Sequence, residues 1–217
     1  MKYLVSFLML VGASVFCVGF ASAARAAPAQ PVILVIGDSL SAGYGLPADA
    51  GWPTLLQRRL GSEGYPHLVV NASISGDTTA GGRARLDALL AQHHPAIVVI
   101  ELGANDGLRG SSIDAMRQNL DAMVLAAQKT GARVVIVGMR LPPNYGAAYG
   151  ARFDATFADV AKAHKAALVP FLFEGFAFDE AMFQADRVHP LAAAQSRMQD
   201  NVWAALKPLL VAPGKRG

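Results

Sequence analysis

The sequence predicts a three-layer α/β/α sandwich built around a central, mainly parallel five-stranded sheet. Five short, almost continuously apolar runs recur along the chain, as expected for strands that are buried on both faces. Segments with helical spacing separate these runs. Strands that alternate with helices form βαβ crossovers, so the strands should run parallel and the helices should cover both faces of the sheet.

The elements follow one another in a regular order. The predicted strands cover 31–36, 68–70, 96–102, 133–139 and 167–171. The predicted helices cover 52–60, 79–92, 113–129, 152–165 and 191–210. No internal repeat, low-complexity linker or second composition regime interrupts this alternation, which indicates a single domain.

Composition excludes several classes of protein. The chain has 217 residues, of which 53% are hydrophobic and 16% charged, as in a globular domain and unlike a disordered chain. Its 19 Lys and Arg residues are scattered and nearly balanced by 16 Asp and Glu residues, which argues against a nucleic-acid surface. One cysteine, Cys17, excludes an internal disulfide framework and a CxxC redox motif.

The N-terminus has the pattern of a secretory signal peptide. Lys2 precedes an uncharged stretch with a strongly apolar centre, followed by small residues. Of two A-x-A sites, 21–23 and 24–26, we favour the second. Residues 1–26 are then a cleaved signal peptide and residues 27–217 a single mature domain.

This signal peptide predicts secretion across the inner membrane into the periplasm, with no stable membrane span after cleavage. Cleavage also removes Cys17. The alternative is an uncleaved membrane anchor, because the apolar stretch approaches the roughly 20 residues that span a bilayer.

Polar and small residues crowd the junctions that follow the first three strands. In a parallel sheet the ligand crevice lies beyond the carboxyl ends of the strands. The residues there are Gly-Asp-Ser-Leu-Ser-Ala-Gly-Tyr-Gly at 37–45, Asn-Ala-Ser-Ile-Ser-Gly-Asp-Thr-Thr at 71–79 and Gly-Ala-Asn-Asp-Gly at 103–107. We therefore expect a polar floor at this end of the sheet.

One of the five histidines stands in a context that suits catalysis. A serine hydroxyl becomes a nucleophile when an imidazole takes its proton and a carboxylate orients that imidazole. His189 has Asp186 three residues before it, a spacing that lets the carboxylate reach the ring within a turn. The alternative is an ordinary turn and helix start. The other four histidines have satisfactory structural roles before a strand or near helix ends.

Four ordered motifs resemble the sequence blocks of the GDSL, or SGNH, hydrolase family. They are Gly-Asp-Ser-Leu at 37–40, Gly76 within 73–78, Gly-Ala-Asn-Asp at 103–106, and Asp186-x-x-His189. The segments at 71–78, 101–110 and 140–146 are most similar to the exported bacterial thioesterase I/protease I/lysophospholipase and arylesterase branch of that family. The resemblance spans about residues 31–210 and implies the family's flavodoxin-like fold.

The resemblance also implies catalytic roles. Ser39 would be the nucleophile, His189 the general base and acid, and Asp186 the group that orients His189. The oxyanion hole would consist of the backbone N–H groups of Ser39 and Gly76 and the side-chain amide of Asn105. Two mild departures from the family pattern are Ala104, where many relatives have glycine, and Arg187 in the Asp-x-x-His gap.

The loops at 107–112 and 141–149 carry apolar and aromatic side chains that suit an acyl chain. The predicted substrates are small-molecule acyl esters, thioesters and lysophospholipids. The phenylalanine-rich segment 171–178 fits either an acyl groove or, preferably, the core. The predicted substrate-binding residues are Asp38, Leu108, Leu141, Pro142 and Tyr145.

Other functions remain as alternatives. A carbohydrate acetylesterase of the same family is one, and a non-catalytic periplasmic binding module is a weaker one. We assign Asp38 and Asp106 to turns and hydrogen bonding around the nucleophile rather than to a glycosidase pair, since neither has an evident context that raises its pKa. We expect no metal site and no cofactor, because no HExxH motif is present. The sequence carries no signal for an oligomeric state.

Overall fold

A computed structural model describes residues 30–212, and the proposed signal peptide therefore lies outside the described residues. One parallel sheet of five strands has the order β2-β1-β3-β4-β5. The strands are β1 Val32–Gly37, β2 Leu68–Asn71, β3 Ile97–Glu101, β4 Arg133–Val137 and β5 Ala167–Val169. The α-helices are α1 Ser39–Ala42, α2 Trp52–Ser62, α3 Thr79–His93, α4 Ala104–Leu108, α5 Ile113–Lys129, α6 Ala147–His164 and α7 Gln195–Leu206.

The strand order places a crevice beside β1. The chain runs from β1 to β2 on one side and then crosses back to β3 on the other side of β1. Such a reversal of strand order opens a cleft at the carboxyl ends of the two strands involved. In the β1–β3 register Gly37 lies opposite Glu101, so the segments that follow both strands emerge side by side.

Helices cover both faces of the sheet, and the predicted α/β/α sandwich is confirmed. Helices α2 and α7 pack against each other, while α3, α5 and α6 form a second packed group. Between these layers, residues 33–36 of β1 and 97–100 of β3 are fully buried. The near-continuous apolar runs of the sequence therefore mark strands that are covered on both sides.

Two predicted helices have different limits in the structure. Helix α6 begins at Ala147, five residues earlier than predicted, directly after Gly146, whose φ of 87° ends the preceding loop. The predicted helix 191–210 is divided into a 3₁₀ turn at Ala192–Ala194, α7, and a second 3₁₀ turn at Lys207–Leu209 that contains Pro208. Proline lacks the N–H that would continue an α-helix.

Helices α1 and α4 were not predicted. Each has one turn and follows the carboxyl end of a central strand, β1 or β3. Within residues 30–212, no helix combines the length and the apolar character needed to cross a bilayer.

Candidate active site

The residues predicted to carry catalysis meet at the carboxyl edge of the sheet. Ser39 follows β1, and Asn105 lies in α4 after β3. Gly76 lies in the loop that follows β2, and His189 in the loop that precedes α7. Side chains that are separated by as many as 150 positions in the sequence are thereby brought into hydrogen-bonding distance.

Ser39 stands at the first position of α1 in a tight turn. The Asp38 carboxylate caps this helix by accepting a 3.0 Å hydrogen bond from the Leu40 N–H. At Gly37 a Cβ would lie 2.7 Å from Glu101 Oε2 and 2.8 Å from the Ser41 side chain. Only glycine therefore fits between β1 and this turn, which explains the first residue of the Gly-Asp-Ser-Leu motif.

Ser39, His189 and Asp186 form a continuous hydrogen-bonded chain. His189 Nε2 lies 2.9 Å from Ser39 Oγ, and His189 Nδ1 lies 2.7 Å from Asp186 Oδ2. With Nδ1 carrying a proton toward the carboxylate, Nε2 is free to accept the serine proton. This is the arrangement that activates a serine hydroxyl.

Hydrogen bonds hold the pKa of Asp186 down to about 2. The hydrogen bond from the backbone N–H of His189 lowers this pKa most, followed by the hydrogen bond from the His189 ring. Burial raises the pKa, and the Val188 N–H lowers it further. Both N–H groups reach Asp186 Oδ1, at 3.0 and 2.9 Å, so that Oδ2 remains available to the ring. The carboxylate therefore stays ionised at neutral pH, as an orienting group requires.

The loop that carries His189 is fixed by backbone contacts and by an aromatic ring. Phe183 and Pro190 form an isolated antiparallel bridge, and the Gln184 N–H donates to the His189 carbonyl at 2.8 Å. The Tyr44 ring packs against the imidazole with 4.5 Å between ring centroids. These contacts limit the positions available to the imidazole.

Three N–H donors belong to the residues that were predicted to form an oxyanion hole. Neither the Ser39 nor the Gly76 backbone N–H has an acceptor among residues 30–212. Gly76 has a φ of +80°, a conformation that side chains disfavour, and Arg109 Nη2 holds its carbonyl at 3.0 Å. Asn105 contributes its side-chain amide. Such a group of neutral donors suits a developing oxyanion.

Asp38 orients the Asn105 amide. Asn105 Nδ2 donates to Asp38 Oδ2 at 3.0 Å, so one amide hydrogen is held and the other remains free. Asp38 borders the cleft, but its side chain is buried and both of its oxygens are engaged. Burial, opposed by hydrogen bonds from Leu40 and Asn105, raises the pKa of Asp38 to about 6. No context that raises this pKa was evident from the sequence; burial provides it.

Glu101 is a functional candidate that sequence reasoning missed. It ends β3 and is fully buried, and its Oε2 accepts a 2.6 Å hydrogen bond from Ser41 Oγ. Burial and the neighbouring Asp38 carboxylate raise the pKa of Glu101 well above its usual value. The signal that could have revealed it is a carboxylate inside the apolar run 96–102.

A cleft of about 620 Å³ opens beside Ser39. Of the predicted substrate-binding residues, Asp38, Leu108, Leu141 and Pro142 line it. Tyr145 does not line the cleft. Its hydroxyl donates a 3.0 Å hydrogen bond to the carbonyl of Leu108, which does line it. Most of the other lining residues are apolar, which suits an acyl chain. They are Leu40, Ala104, Met139, Pro143, Phe171, Phe173, Ala177, Phe178, Phe183 and Val188.

The phenylalanine-rich segment serves both the cleft and the core. Phe171, Phe173 and Phe178 line the cleft, whereas Phe176 is buried without lining it. The sequence prediction, which preferred the core to an acyl groove for this segment, was therefore only partly right. Sequence periodicity could not separate the two, because the segment lacks regular secondary structure and turns its rings in different directions.

The remaining polar residues of the motifs have structural partners. Asp106 accepts hydrogen bonds from the Thr79 N–H and hydroxyl at 2.9 and 2.6 Å and so ties α4 to the start of α3. His164 Nε2 lies 2.8 Å from Asp121 Oδ1, remote from Ser39 in the sequence and outside the cleft lining. In the part of the chain that the structure describes, no group of three His, Cys, Asp or Glu side chains could hold a metal ion.

Most of the chain matches a known protein family. Residues 35–197 fit the model of the GDSL-like lipase/acylhydrolase family, a span that contains all of the residues described above. The chain belongs to that family. It is a serine hydrolase that acts on esters.

Curated relatives cover most of the chain. It is 53% identical over 194 residues to the esterase TesA of Pseudomonas aeruginosa, covering 89% of this chain and 96% of the relative. It is 43% identical to an arylesterase of Vibrio mimicus, covering 83% and 88%. It is 41% identical to the thioesterase 1/protease 1/lysophospholipase L1 of Escherichia coli, covering 85% and 87%.

Solved structures share the fold. The crystal structure of TesA has a TM-score of 0.81 and 55% identity, covering 82% of this chain and 99% of that one. The psychrotrophic esterase EstA of Pseudoalteromonas, inhibited by monoethylphosphonate, has a TM-score of 0.78 and 40% identity, covering 82% and 97%.

Proposed function

We propose that this chain hydrolyses acyl esters and thioesters through a Ser39–His189–Asp186 triad and an acyl-enzyme intermediate. The observation that carries the proposal is the unbroken hydrogen-bonded chain, 2.9 Å from Ser39 Oγ to His189 Nε2 and 2.7 Å from His189 Nδ1 to Asp186 Oδ2. The esterase names of the relatives and the phosphonate inhibition of EstA support a serine mechanism.

In the first step His189 Nε2 takes the proton of Ser39 Oγ as the oxygen attacks the carbonyl carbon of the substrate. The Asp186 carboxylate balances the positive charge of the imidazolium. The carbonyl oxygen becomes an oxyanion and accepts hydrogen bonds from the Ser39 and Gly76 N–H groups and from the Asn105 amide.

In the second step the tetrahedral intermediate collapses. The bond from carbon to the leaving oxygen or sulfur breaks, and His189 donates its Nε2 proton to the departing group. The acyl group remains on Ser39 as an ester. Water then attacks this ester with His189 as the base, which releases the carboxylic acid and restores the Ser39 hydroxyl.

The cleft supports an acyl chain rather than a sugar as the bound group. Apart from Asp38, Ser39, Asn105 and His189, its only polar lining side chains within the described residues are Arg140 and Arg187. A site for acetylated sugars needs several polar groups to bind hydroxyls. We therefore propose acyl esters, thioesters and lysophospholipids as substrates and place carbohydrate acetyl esters second.

We also propose that residues 1–26 direct export to the periplasm. The charged start, apolar centre and A-x-A site support this assignment. N-terminal sequencing of the protein recovered from the periplasm tests it. The expected first residue is Ala27, and a mature chain that begins at Met1 would contradict the proposal.

Three single variants test the mechanism with a p-nitrophenyl acyl ester. Ser39→Ala and His189→Ala should each lower kcat by about 10⁴-fold or more, since triad members act as one unit. His164→Ala is the matched control, a partly buried histidine that also pairs with an aspartate. It should keep nearly full activity. Retained activity in Ser39→Ala, or a larger loss in His164→Ala than in His189→Ala, would contradict the mechanism.

A further inference from the structure

Exposed apolar side chains concentrate around the mouth of the cleft. Eight large apolar side chains are exposed within residues 30–212. Four of them, Tyr44, Ile74, Phe178 and Val188, lie at the active-site edge, and we call these four the apolar rim. Contiguous exposed apolar surface marks sites of interaction with proteins, membranes or ligands.

Contacts place each member of the rim beside the catalytic groups. Phe178 and Val188 line the cleft itself. Tyr44 packs on the His189 ring. Ile74 precedes Gly76 by two residues, and its N–H donates to the Gly37 carbonyl at 3.0 Å, which holds it at the end of β1.

Phe178 is the most exposed member. This residue is 100% accessible, although its neighbours Phe173, Ala177 and Phe183 line the cleft with it. Apolar surface therefore continues from a ring that lies fully in water into the interior of the cleft. Burial of this ring against another apolar phase would be favourable, and residues 30–212 offer it no cover.

Cationic side chains accompany the rim. Arg140 and Arg187 line the cleft, and the Arg140 guanidinium lies 4.5 Å from the Phe171 ring centroid. The nearby Glu180 carboxylate pairs with Arg187 at 3.6 Å, but both side chains are about three-quarters exposed, so this pair is weak. The Asp186 carboxylate is engaged by His189. Asp154 lies near Arg140, and Asp179 and Glu180 follow Phe178 in the sequence, but none of these three carboxylates lines the cleft. The charged side chains of the lining are the two guanidinium groups and the buried Asp38 carboxylate, so the lining favours an anionic headgroup.

We propose that the apolar rim, with Arg140 and Arg187, docks the enzyme on the surface of an anionic lipid aggregate. The proposal rests on the proposed function, because the acyl chain of a docked lipid would enter the cleft without crossing water. A protein partner on this surface would cover the mouth through which substrate enters. Partial burial of apolar side chains combined with attraction to anionic headgroups is how proteins bind a membrane interface.

Vesicle flotation tests the proposal in the Ser39→Ala background, where no lipid is consumed. Vesicles of phosphatidylcholine and phosphatidylglycerol in equal parts should bind the protein more tightly than vesicles of phosphatidylcholine alone. Adding Phe178→Ser should weaken binding by about tenfold or more. The control is Leu125→Ser, which removes another exposed apolar side chain, 54% accessible, from α5. It should leave binding unchanged.

Two further variants separate the apolar and cationic contributions. Arg187→Gln should weaken binding to the anionic vesicles several-fold and hardly affect binding to neutral ones. In Phe178→Trp, tryptophan emission should shift to the blue when anionic vesicles are added, because Trp52 and Trp203 are already buried.

Absence of vesicle binding would overturn the proposal, as would equal effects of Phe178→Ser and Leu125→Ser. Self-association that Phe178→Ser abolishes, without vesicle binding, would also overturn it and assign the rim to a second copy of the chain. These results do not depend on turnover. A failure of the proposed function would instead appear as absent hydrolysis of the soluble p-nitrophenyl ester by the unmodified enzyme.

Discussion

Asp38 links the turn that carries Ser39, the proposed nucleophile, to Asn105 of the proposed oxyanion hole. One of its oxygens caps α1 through the Leu40 N–H, and the other accepts from the Asn105 amide. A carboxylate accepts hydrogen bonds but cannot donate one, so it also determines which end of the Asn105 amide faces it. The amide nitrogen, rather than its oxygen, is thereby directed toward the catalytic centre.

Replacement of Asp38 by asparagine tests this role. In Asp38→Asn the new amide group would face the Asn105 amide, which favours rotation of Asn105 and presents its oxygen to the oxyanion. We expect kcat to fall by up to about 100- to 1,000-fold, the usual effect of losing one such donor, with a smaller change in KM. The kcat of the wild type should also fall as the pH drops through about 6, because Asp38 then gains a proton.

A double-mutant cycle is the control for that effect. Asn105→Ala should lower kcat strongly in the wild type and little in the Asp38→Asn background, because both changes remove the same donor. Fully additive losses would contradict the proposed link between Asp38 and Asn105.

Asp186 is expected to orient His189 over a wide pH range. Since the pKa of Asp186 is lowered to about 2, its contribution to folding is present above its ordinary value of 3.8 and is lost as the pH falls through about 2. Asp186→Asn should lower kcat by about 10³- to 10⁴-fold by favouring the wrong imidazole tautomer. Steady-state kinetics near neutral pH measure this, and a loss below threefold would argue that the backbone alone orients His189.

At the scale of single elements, the end of β3 carries an unusual group. Glu101 sits fully buried opposite Gly37 of β1, beneath the turn that presents Ser39. Its Oε2 accepts from Ser41 Oγ, and Ser41 Oγ in turn accepts from the Trp52 indole N–H at 3.2 Å. Burial and the Asp38 carboxylate raise the pKa of Glu101 well above its ordinary value, which favours the neutral carboxyl. The network joins β1, β3 and α2.

Glu101→Gln should therefore be tolerated. The raised pKa makes the wild type lose stability as the pH rises from the ordinary value of 4.5 toward the folded-state value. Glutamine does not titrate, so the melting temperature of Glu101→Gln relative to the wild type should increase as the pH rises above the ordinary value of 4.5. Thermal unfolding monitored by circular dichroism measures this difference. A melting temperature that stays below that of the wild type by the same amount at every pH would contradict the raised pKa of Glu101.

The loop after β4 and the first turn of α6 support one wall of the cleft. The Tyr145 hydroxyl donates to the carbonyl of Leu108, a cleft-lining residue, and the Tyr149 hydroxyl donates to the Ser111 carbonyl at 2.8 Å. Tyr145→Phe should raise KM for a long-chain ester by about two- to tenfold, with a smaller effect on an acetyl ester, since one hydrogen bond is lost.

Tyr149→Phe is the matched control for this loop. It removes a similar hydrogen bond outside the lining of the cleft. It should change KM less than Tyr145→Phe does. Equal effects of the two variants would assign both tyrosines to general loop stability.

The sequence predicted the elements well where periodicity is strong and local. The fully buried strands and helix α5, at Ile113–Lys129, agree with their predicted positions. The helices α1 and α4 were missed because a single turn is too short to show a period. The final helix was predicted as continuous because Pro208 and the alanines at 192–194 disturb its ends without breaking the apolar pattern.

At the scale of the whole molecule, topology explains which parts of the site were predictable. Parallel strands bring their carboxyl ends to one edge, so polar residues after β1, β2 and β3 had to meet there. The walls of the cleft were less predictable because they combine side chains from many separate loops. Leu108, Met139 and Phe183, for example, lie far apart in the sequence and share no motif.

Besides the cleft walls, the sequence did not reveal the burial of Asp38 and Glu101. Asp38 and Glu101 have unusual pKa values because the assembled sheet and helices exclude water from them. Their environment depends on long-range packing between β1, β3 and α2. The residues next to Asp38 and Glu101 in the sequence do not indicate this burial.

The nucleophilic role of Ser39 is the central claim, and covalent labelling tests it most directly. The enzyme would be treated with a fluorophosphonate, and the modified residue would be located by peptide mass spectrometry while ester hydrolysis is followed in parallel. One adduct should form on Ser39, and activity should fall in proportion to labelling. Full inhibition without an adduct on Ser39, or labelled Ser39 with undiminished hydrolysis, would contradict the mechanism.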